Sequence, residues 1–472
     1  MDDIPESLLA EIVKRLTSPC DLKSLSLVSK RLYAVEGELR DAIFIGCGVS
    51  PVTVALVSLC SRFPNLCKVE FNYSGWTHNH RMQLNNHGLQ VFSSCCPSLT
   101  DLTLSFCSYI DDSGLGFLAS FKKLMSVRLN TLPAITSFGL LSVAVGCKNL
   151  SALHLIACKK VGIVEWLEYL GRVGSLEELV VKHCEMISQF DLLKLGSGWM
   201  TLRKFEFQIK GLLNVFDPRD PSCMAHYQYR YDFSCDCLED LTLARITTEK
   251  EIGLCCLLRK CKALKNLSLH YVHGLHDNDI VTLSQNCNNL TSVSLWLTPQ
   301  FNEGSVFRTS LTDDTLKALA LRCRMLQSFE LIFWACDRSW PEIGFTQEGL
   351  VMLIQSCPIR DLVLSGAHIF DDEGMKAVSS AQFLESLELM DCVKVTNAGM
   401  RLLSRCPCLI NLTLRQCDGF TDAGVTEVAR ARNLESLIVE GCSRVSLNAV
   451  QGAAKSVHYK EDYPGLFNLG RV

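Results

Sequence analysis

The chain has 472 residues, with 46 Lys+Arg against 50 Asp+Glu, so it is too long for one compact core and has no global basic field for nucleic acid or an anionic membrane. No apolar run approaches the roughly 20 residues of a membrane span, and the opening Met-Asp-Asp-Ile-Pro-Glu lacks the basic and apolar regions of a signal peptide. The expectation is a soluble protein of the cytoplasm and/or nucleus, with no nucleic-acid and no membrane partner.

Residues 3–36 share no pattern with the remainder of the chain. Pro5 suits the first turn of a helix, and Leu8, Ile12 and Leu16, with Leu9 and Val13, form a stripe at helical spacing. Thr17-Ser18-Pro19 ends that helix, and Asp21 can cap a second one carrying Leu22, Leu25, Val28 and Leu32. Two short amphipathic helices are too small to fold alone, so they need the rest of the chain or another protein.

The order Ile4-Pro5-x-x-Leu8-Leu9-x-x-Ile12-x-x-x-Leu16, then Asp21-Leu22, then Leu27-Val28-Ser29-Lys30-Arg31-Leu32-Tyr33 resembles an F-box. Ile4, Ser29 and Leu32 or Tyr33 stand where the usual form has Leu, Cys and Trp. A helical cap for the remainder of the chain is the alternative. The resemblance implies binding to a Skp-type adaptor and, through it, to a cullin and a RING subunit. Ile4, Pro5, Leu8, Ile12, Leu16, Leu25, Val28 and Tyr33 are the implied contacts.

From Leu39 a half-repeat begins, with a strand at Ala42 to Ile45 and a helix opened by Pro51. A repeating unit then takes over, clearest at Cys406 to Arg430. It reads Cys-Pro-x-Leu-x-x-Leu-x-Leu-x-x-Cys, followed by Phe420-Thr421-Asp422-Ala423-Gly424-Val425. The L-x-x-L-x-L spacing marks a short strand with one buried side, and Thr421 and Asp422 mark a helix start. Such a unit cannot bury its apolar faces without copies on both sides. Its first leucine recurs at Leu66, Leu99, Leu124, Leu150, Leu176, Leu202, Leu238, Leu264, Leu290, Leu326, Ile359, Leu384, Leu409 and Leu434, mostly 25 or 26 residues apart. Asp111, Thr136, Asp277, Thr312, Thr346, Asp371, Thr396, Thr421 and Ser446 occupy the cap region of their units.

These units resemble the cysteine-containing repeats of plant F-box/leucine-rich-repeat proteins. The implied fold is α/β: F-box helices followed by a solenoid, or horseshoe, with a concave parallel sheet and convex helices. The expected organisation is an F-box at 1–36, a linker and capping half-repeat at 37–65, about 14 units over 66–454, and a C-terminal cap from about Lys455 to 472.

The 25 cysteines follow the repeat. One set opens the unit (Cys96, Cys147, Cys237, Cys261, Cys287, Cys323, Cys357, Cys406) and one follows the strand (Cys107, Cys158, Cys184, Cys392, Cys417, Cys442). A residue type recurring at one structural place serves size and burial, so reduced structural thiols are expected. Cys223, His226, Cys235 and Cys237 offer zinc-type ligands. The Cys-x-Cys spacing and the place of Cys237 in the repeat argue against a site, so no metal or other cofactor is expected.

Four intervals run long: 33 residues from Leu66, 36 from Leu202, 36 from Leu290 and 33 from Leu326. The extra residues should emerge on one rim, where long loops on a rigid scaffold carry binding. Trp76, Tyr229, Trp296, Phe301, Trp334 and Trp340 are candidate target contacts there, typical of interface anchors, although each loop could instead bury its own aromatics. Along the strands Arg128, His154, Lys182 and His270 are further candidates, and the acidic Glu330, Glu388 and Glu440 fall in later units.

No Gly-rich phosphate loop, His-Glu-x-x-His or Gly-x-Ser-x-Gly occurs, and catalysis by this chain is not expected. The resemblance implies a non-catalytic substrate receptor of a Skp–cullin–F-box ubiquitin ligase that selects a target protein for degradation. Alternatives are a non-ligase scaffold or inhibitor, and a small-molecule receptor like the auxin- and jasmonate-receptor F-box proteins. Those hold a small ligand and an inositol phosphate, but the dense Lys/Arg cluster that goes with them is missing here.

Overall fold

The computed structural model describes residues 4–16, 18–46, 52–75, 83–162, 165–189, 191, 199–209, 235–248, 253–298, 300–301, 307–308, 311–334, 344–431 and 433–462. The chain divides into two compact units, Met1–Lys210 and Gly211–Val472. This division falls inside one of the longest intervals of the repeat, so the N-terminal helices belong with the first set of strands.

Three helices open the first unit: α1 Glu6–Lys14, α2 Pro19–Ser26 and α3 Lys30–Leu39. The sequence suggests two. Ser18, rather than Asp21, caps α2, its Oγ accepting from the Asp21 N–H at 3.4 Å. Ser29 Oγ accepts from the Leu32 N–H at 3.1 Å and starts a third helix. Serine competes well for such backbone groups, so it splits the apolar periodicity that runs from Leu22 to Leu32. Val28 therefore lies in the turn between α2 and α3. Leu9, Val13, Leu32 and Val35 form a buried core, with Ile4, Ala10, Leu22, Leu25 and Leu39 against it.

Seven parallel strands come next in chain order: β1 Ala42–Ile45, β2 Lys68–Asn72, β3 Asp101–Ser105, β4 Ser126–Asn130, β5 Ala152–Ile156, β6 Glu178–Lys182 and β7 Lys204–Gln208. Helix Val52–Arg62 connects β1 to β2. The second unit repeats the plan with β8 Asp240–Ala244, β9 Asn266–His270 and β10 Ser292–Leu297. A small antiparallel pair, β11 Gln300–Phe301 and β12 Phe307–Arg308, stands between β10 and its next sheet neighbour. The ladder resumes with β13 Ser328–Phe333, β14 Asp361–Ser365, β15 Ser386–Met390, β16 Asn411–Arg415 and β17 Ser436–Glu440. Residues expected to leave the pattern instead form β18 Ser456–Lys460, parallel to β17. The α/β expectation thus holds, with helices crossing between parallel strands.

Each strand turns alternate residues inward. In the second unit the inward rows hold Leu241, Leu267, Val293, Phe329, Leu362, Leu387, Leu412 and Leu437, and Leu243, Leu269, Leu295, Leu331, Leu364, Leu389, Leu414 and Val439, all buried. After the strand the backbone repeatedly enters the left-handed region, at Phe106, Thr131, Ala157, His183, Arg245, Tyr271, Asp391 and Gln416. Such a φ costs a non-glycine residue about 1 kcal/mol. It is tolerated because the N–H still reaches the next strand, as from Tyr271 to the Trp296 carbonyl at 2.7 Å. Among the described residues no helix is long and apolar enough to cross a membrane.

Candidate functional site

Two surfaces stand out. On the N-terminal helices, Leu8, Ile12, Leu27, Val28 and Tyr33 are 55%, 48%, 80%, 61% and 44% exposed although the helices already have a buried core. Pro5 is also exposed, whereas Ile4, Leu16 and Leu25 are half-buried. Ile4 and Leu25 pack on the helices' own core. Leu27, the most exposed of these apolar side chains, is absent from the contacts implied by sequence, because the periodicity assigns it to the back of a continuous helix.

α3 is fastened from behind. The Glu36 carboxylate is fully buried and pairs with Arg40 and with Arg62 Nη2, the latter at 2.8 Å. The Arg62 guanidinium lies 3.6 Å from the centre of the Tyr33 ring. Helix Val52–Arg62 therefore holds the third helix by a buried ion pair and a cation–π contact.

The second surface is the outward face of the strands in the second unit. His270 stacks on Trp296, with ring centroids 4.2 Å apart. Tyr271 meets Trp296 and Trp334 edge-on at 5.7 and 5.8 Å, and Arg245 lies 5.9 Å from the Tyr271 ring centre. Burial pushes the Tyr271 phenol up to about 12, Glu330 adding to this and Arg245 opposing it. His270 Nε2 is 3.0 Å from Ser294 Oγ, which donates to Glu330. Farther along, Arg415 pairs with Glu388 and, at 2.8 Å, with Glu440.

In the first unit two of the positions flagged by sequence, His154 and Lys182, are committed to carboxylates. His154 Nε2 and Lys204 Nζ lie 3.1 and 2.7 Å from one oxygen of Glu178, and Lys182 Nζ is 2.5 Å from Glu206. Burial holds the His154 imidazole below its usual value, with Glu178 opposing and Arg128 and Lys204 adding to the effect. Arg128 is exposed on β4. Binding an anion at His154 and Lys182 would require breaking these pairs.

A family model described as Leucine Rich repeat matches residues 95–119, a stretch that contains β3 and helix Asp112–Gly116. That stretch is a leucine-rich repeat. GRR1-like protein 1 of Arabidopsis thaliana is 23% identical over 396 residues, which is 76% of this chain and 63% of that relative. This chain thus spans less than two thirds of that relative's length. Together with the repeat match, the likeness supports the F-box/leucine-rich-repeat family, of plant type. Among solved structures, this chain is similar to a chain of the Rad7 and Elc1 complex in yeast, with a TM-score of 0.46 at 16% identity, covering 95% of this chain and 96% of that one. An internalin from Listeria monocytogenes gives a TM-score of 0.42 at 14% identity, with coverages of 88% and 92%.

Of the residues singled out in the leucine-rich-repeat sequence, the fold brings His270, Trp296 and Trp334 into one cluster through Tyr271, a residue that no motif or spacing marks. Trp296 lies at the end of β10. Trp76, Tyr229, Trp340 and the Phe301 side chain lie outside the described residues, as do Cys223 and His226. Cys235 is buried with its Sγ 3.6 Å from Cys261 Sγ, whereas Cys237 is exposed. Cys235 therefore opens its unit in place of Cys237, in keeping with the Cys-x-x-Leu spacing to Leu238 that Cys261 has to Leu264. Among the described residues no three His, Cys, Asp or Glu side chains are grouped to hold a metal ion.

Proposed function

We propose that this chain is a non-catalytic target-recognition subunit of a Skp–cullin–RING ubiquitin ligase, working in the cytosol and/or nucleus. The observation that carries this reading is the exposure of Leu8, Ile12, Leu27, Val28 and Tyr33 on helices that have their own core and are already fastened to helix Val52–Arg62. A mere cap would direct its apolar residues toward the repeats it covers. Exposed apolar side chains on so small a unit instead suit a partner protein, here a Skp-type adaptor. The likeness to GRR1-like protein 1 is in keeping with this.

The contribution to ubiquitination is proximity. One end of the chain holds the adaptor and the strand face holds the target, which turns an encounter between separate molecules into one within a complex. Bond chemistry belongs to the other subunits. Replacing Leu8 and Ile12 by Asp should abolish co-purification with a Skp-type adaptor and leave the cooperative unfolding of the repeats unchanged. Undiminished adaptor binding by that variant overturns the assignment and favours a free-standing scaffold.

A further inference from the structure

The outward face across β10 to β16 differs in charge and relief from the paired surface of the first unit. In register, one row runs Ser294, Glu330, Val363, Glu388 and Thr413, and the next runs Trp296, Ile332, Ser365, Met390 and Arg415. Ile332, Ser365 and Met390 are buried, whereas Trp296 and Arg415 at the ends of their row are half-exposed. With strands about 4.8 Å apart, this row spans roughly 19 Å between an indole at one end and a guanidinium at the other.

The charge is one-sided. Over β13 to β16 the outward positions hold Glu330, Asp361 and Glu388 against Arg415, and Arg415 is shared with Glu440 on β17. Glu330 has the neutral Ser294 hydroxyl as a partner. Burial, with help from Glu330 and Glu440, holds the Glu388 carboxyl above its usual range despite Arg415. An arriving cation would relieve that penalty.

We propose that this face docks a basic segment of the target protein. The stem of an Arg or Lys side chain lies over Val363, and its cation sits between Glu330 and Glu388. Carboxylates on either side of an apolar side chain suit a cation that carries an aliphatic stem. The inference rests on the receptor reading above and names the chemistry of its target.

The test uses the full-length chain and four fluorescein-labelled nonapeptide pools, degenerate except for a central Arg, norleucine, Glu or phosphoserine. Fluorescence anisotropy should show the Arg pool binding about tenfold more tightly than norleucine, the scale of a charge-assisted hydrogen bond. That preference should fall about tenfold in the Glu330→Gln/Glu388→Gln double variant, whose side chains keep their shape, and should weaken with salt. Tightest binding by the Glu or phosphoserine pool, or an Arg preference unchanged in the double variant, overturns the proposal. Adaptor co-purification is measured on the same protein. Arg preference without adaptor binding overturns only the ligase role, and adaptor binding without Arg preference overturns only the basic-segment assignment.

Discussion

Asp279 stands where most helices of this chain have glycine. It is the third residue of helix Asp277–Asn286, the place held by Gly114, Gly139, Gly349, Gly374, Gly399 and Gly424 in other repeats. Its side chain is almost wholly buried and reaches back to the His276 N–H at 3.0 Å. Burial pushes the carboxyl from 3.8 up to about 6, against the backbone N–H groups of His276 and Cys255. The folded state therefore binds the proton more tightly than the unfolded chain, and stability falls as pH rises between about 4 and 6. Above pH 6 the full penalty applies, on the order of 3 kcal/mol. Asp279→Asn keeps the oxygen that accepts from His276, so it should raise stability at pH 7 by about 1–3 kcal/mol and change it little at pH 4. Urea unfolding at the two pH values checks this, and equal effects at both would refute it.

The buried cysteines make the same point with the opposite outcome. Burial pushes the Cys107, Cys323 and Cys392 thiols up to about 12, which keeps them protonated and unreactive. Recurrence in the sequence was enough to assign them to packing. No such recurrence marks Asp279, whose environment comes from residues on other helices.

Adjacent helices are latched by a contact that spans one repeat. At five places an aspartate that opens a helix sends its side chain to the cap residue of the next helix, accepting from both its N–H and its hydroxyl. Asp112 does this to Thr136, Asp277 to Thr312, Asp313 to Thr346, Asp372 to Thr396 and Asp422 to Ser446, at 2.6–2.8 Å. Thr421 and Ser446 make no side-chain cap bond within their own helices, and His276 rather than Asp277 is the cap of its helix. The glycine two residues into the helix is a consequence of the latch. A Cβ at Gly399 would lie 2.3 Å from Asp372 Oδ1, which also accepts from the Gly399 N–H at 3.0 Å.

Asp372→Ala strips three donors of their acceptor and should cost about 1–2 kcal/mol. Gly399→Ala should cost a similar amount through overlap with the carboxylate. The double variant should cost less than their sum, because removing the carboxylate relieves the clash. Denaturant unfolding of the three variants reads this coupling, and strict additivity would reject the latch.

At the scale of the whole chain, the junction at Glu36 decides whether the N-terminal helices are tethered loosely or held fast. Removing one partner of a buried pair leaves charge unmatched and costs about 3 kcal/mol. Glu36→Ala should therefore speed amide exchange across α3 and helix Val52–Arg62 while leaving β15 to β17 unaffected. Unchanged protection in α3 would show that apolar contact alone holds it.

Much of the architecture is written in local pattern. The L-x-x-L-x-L spacing, the cap residues and the 25-residue period specify parallel strands, helices and inward leucine rows, because each unit encodes its own strand and helix and needs only a like neighbour. What tertiary structure alone decided lies between units. Ser29 split one expected helix into two and so left Leu27 and Val28 exposed. Register across strands set Glu330 and Glu388 on either side of Val363, and it put His270 on Trp296. Those partners are 25 to 58 residues apart in sequence. Their meeting depends on strand alignment, which no single repeat encodes.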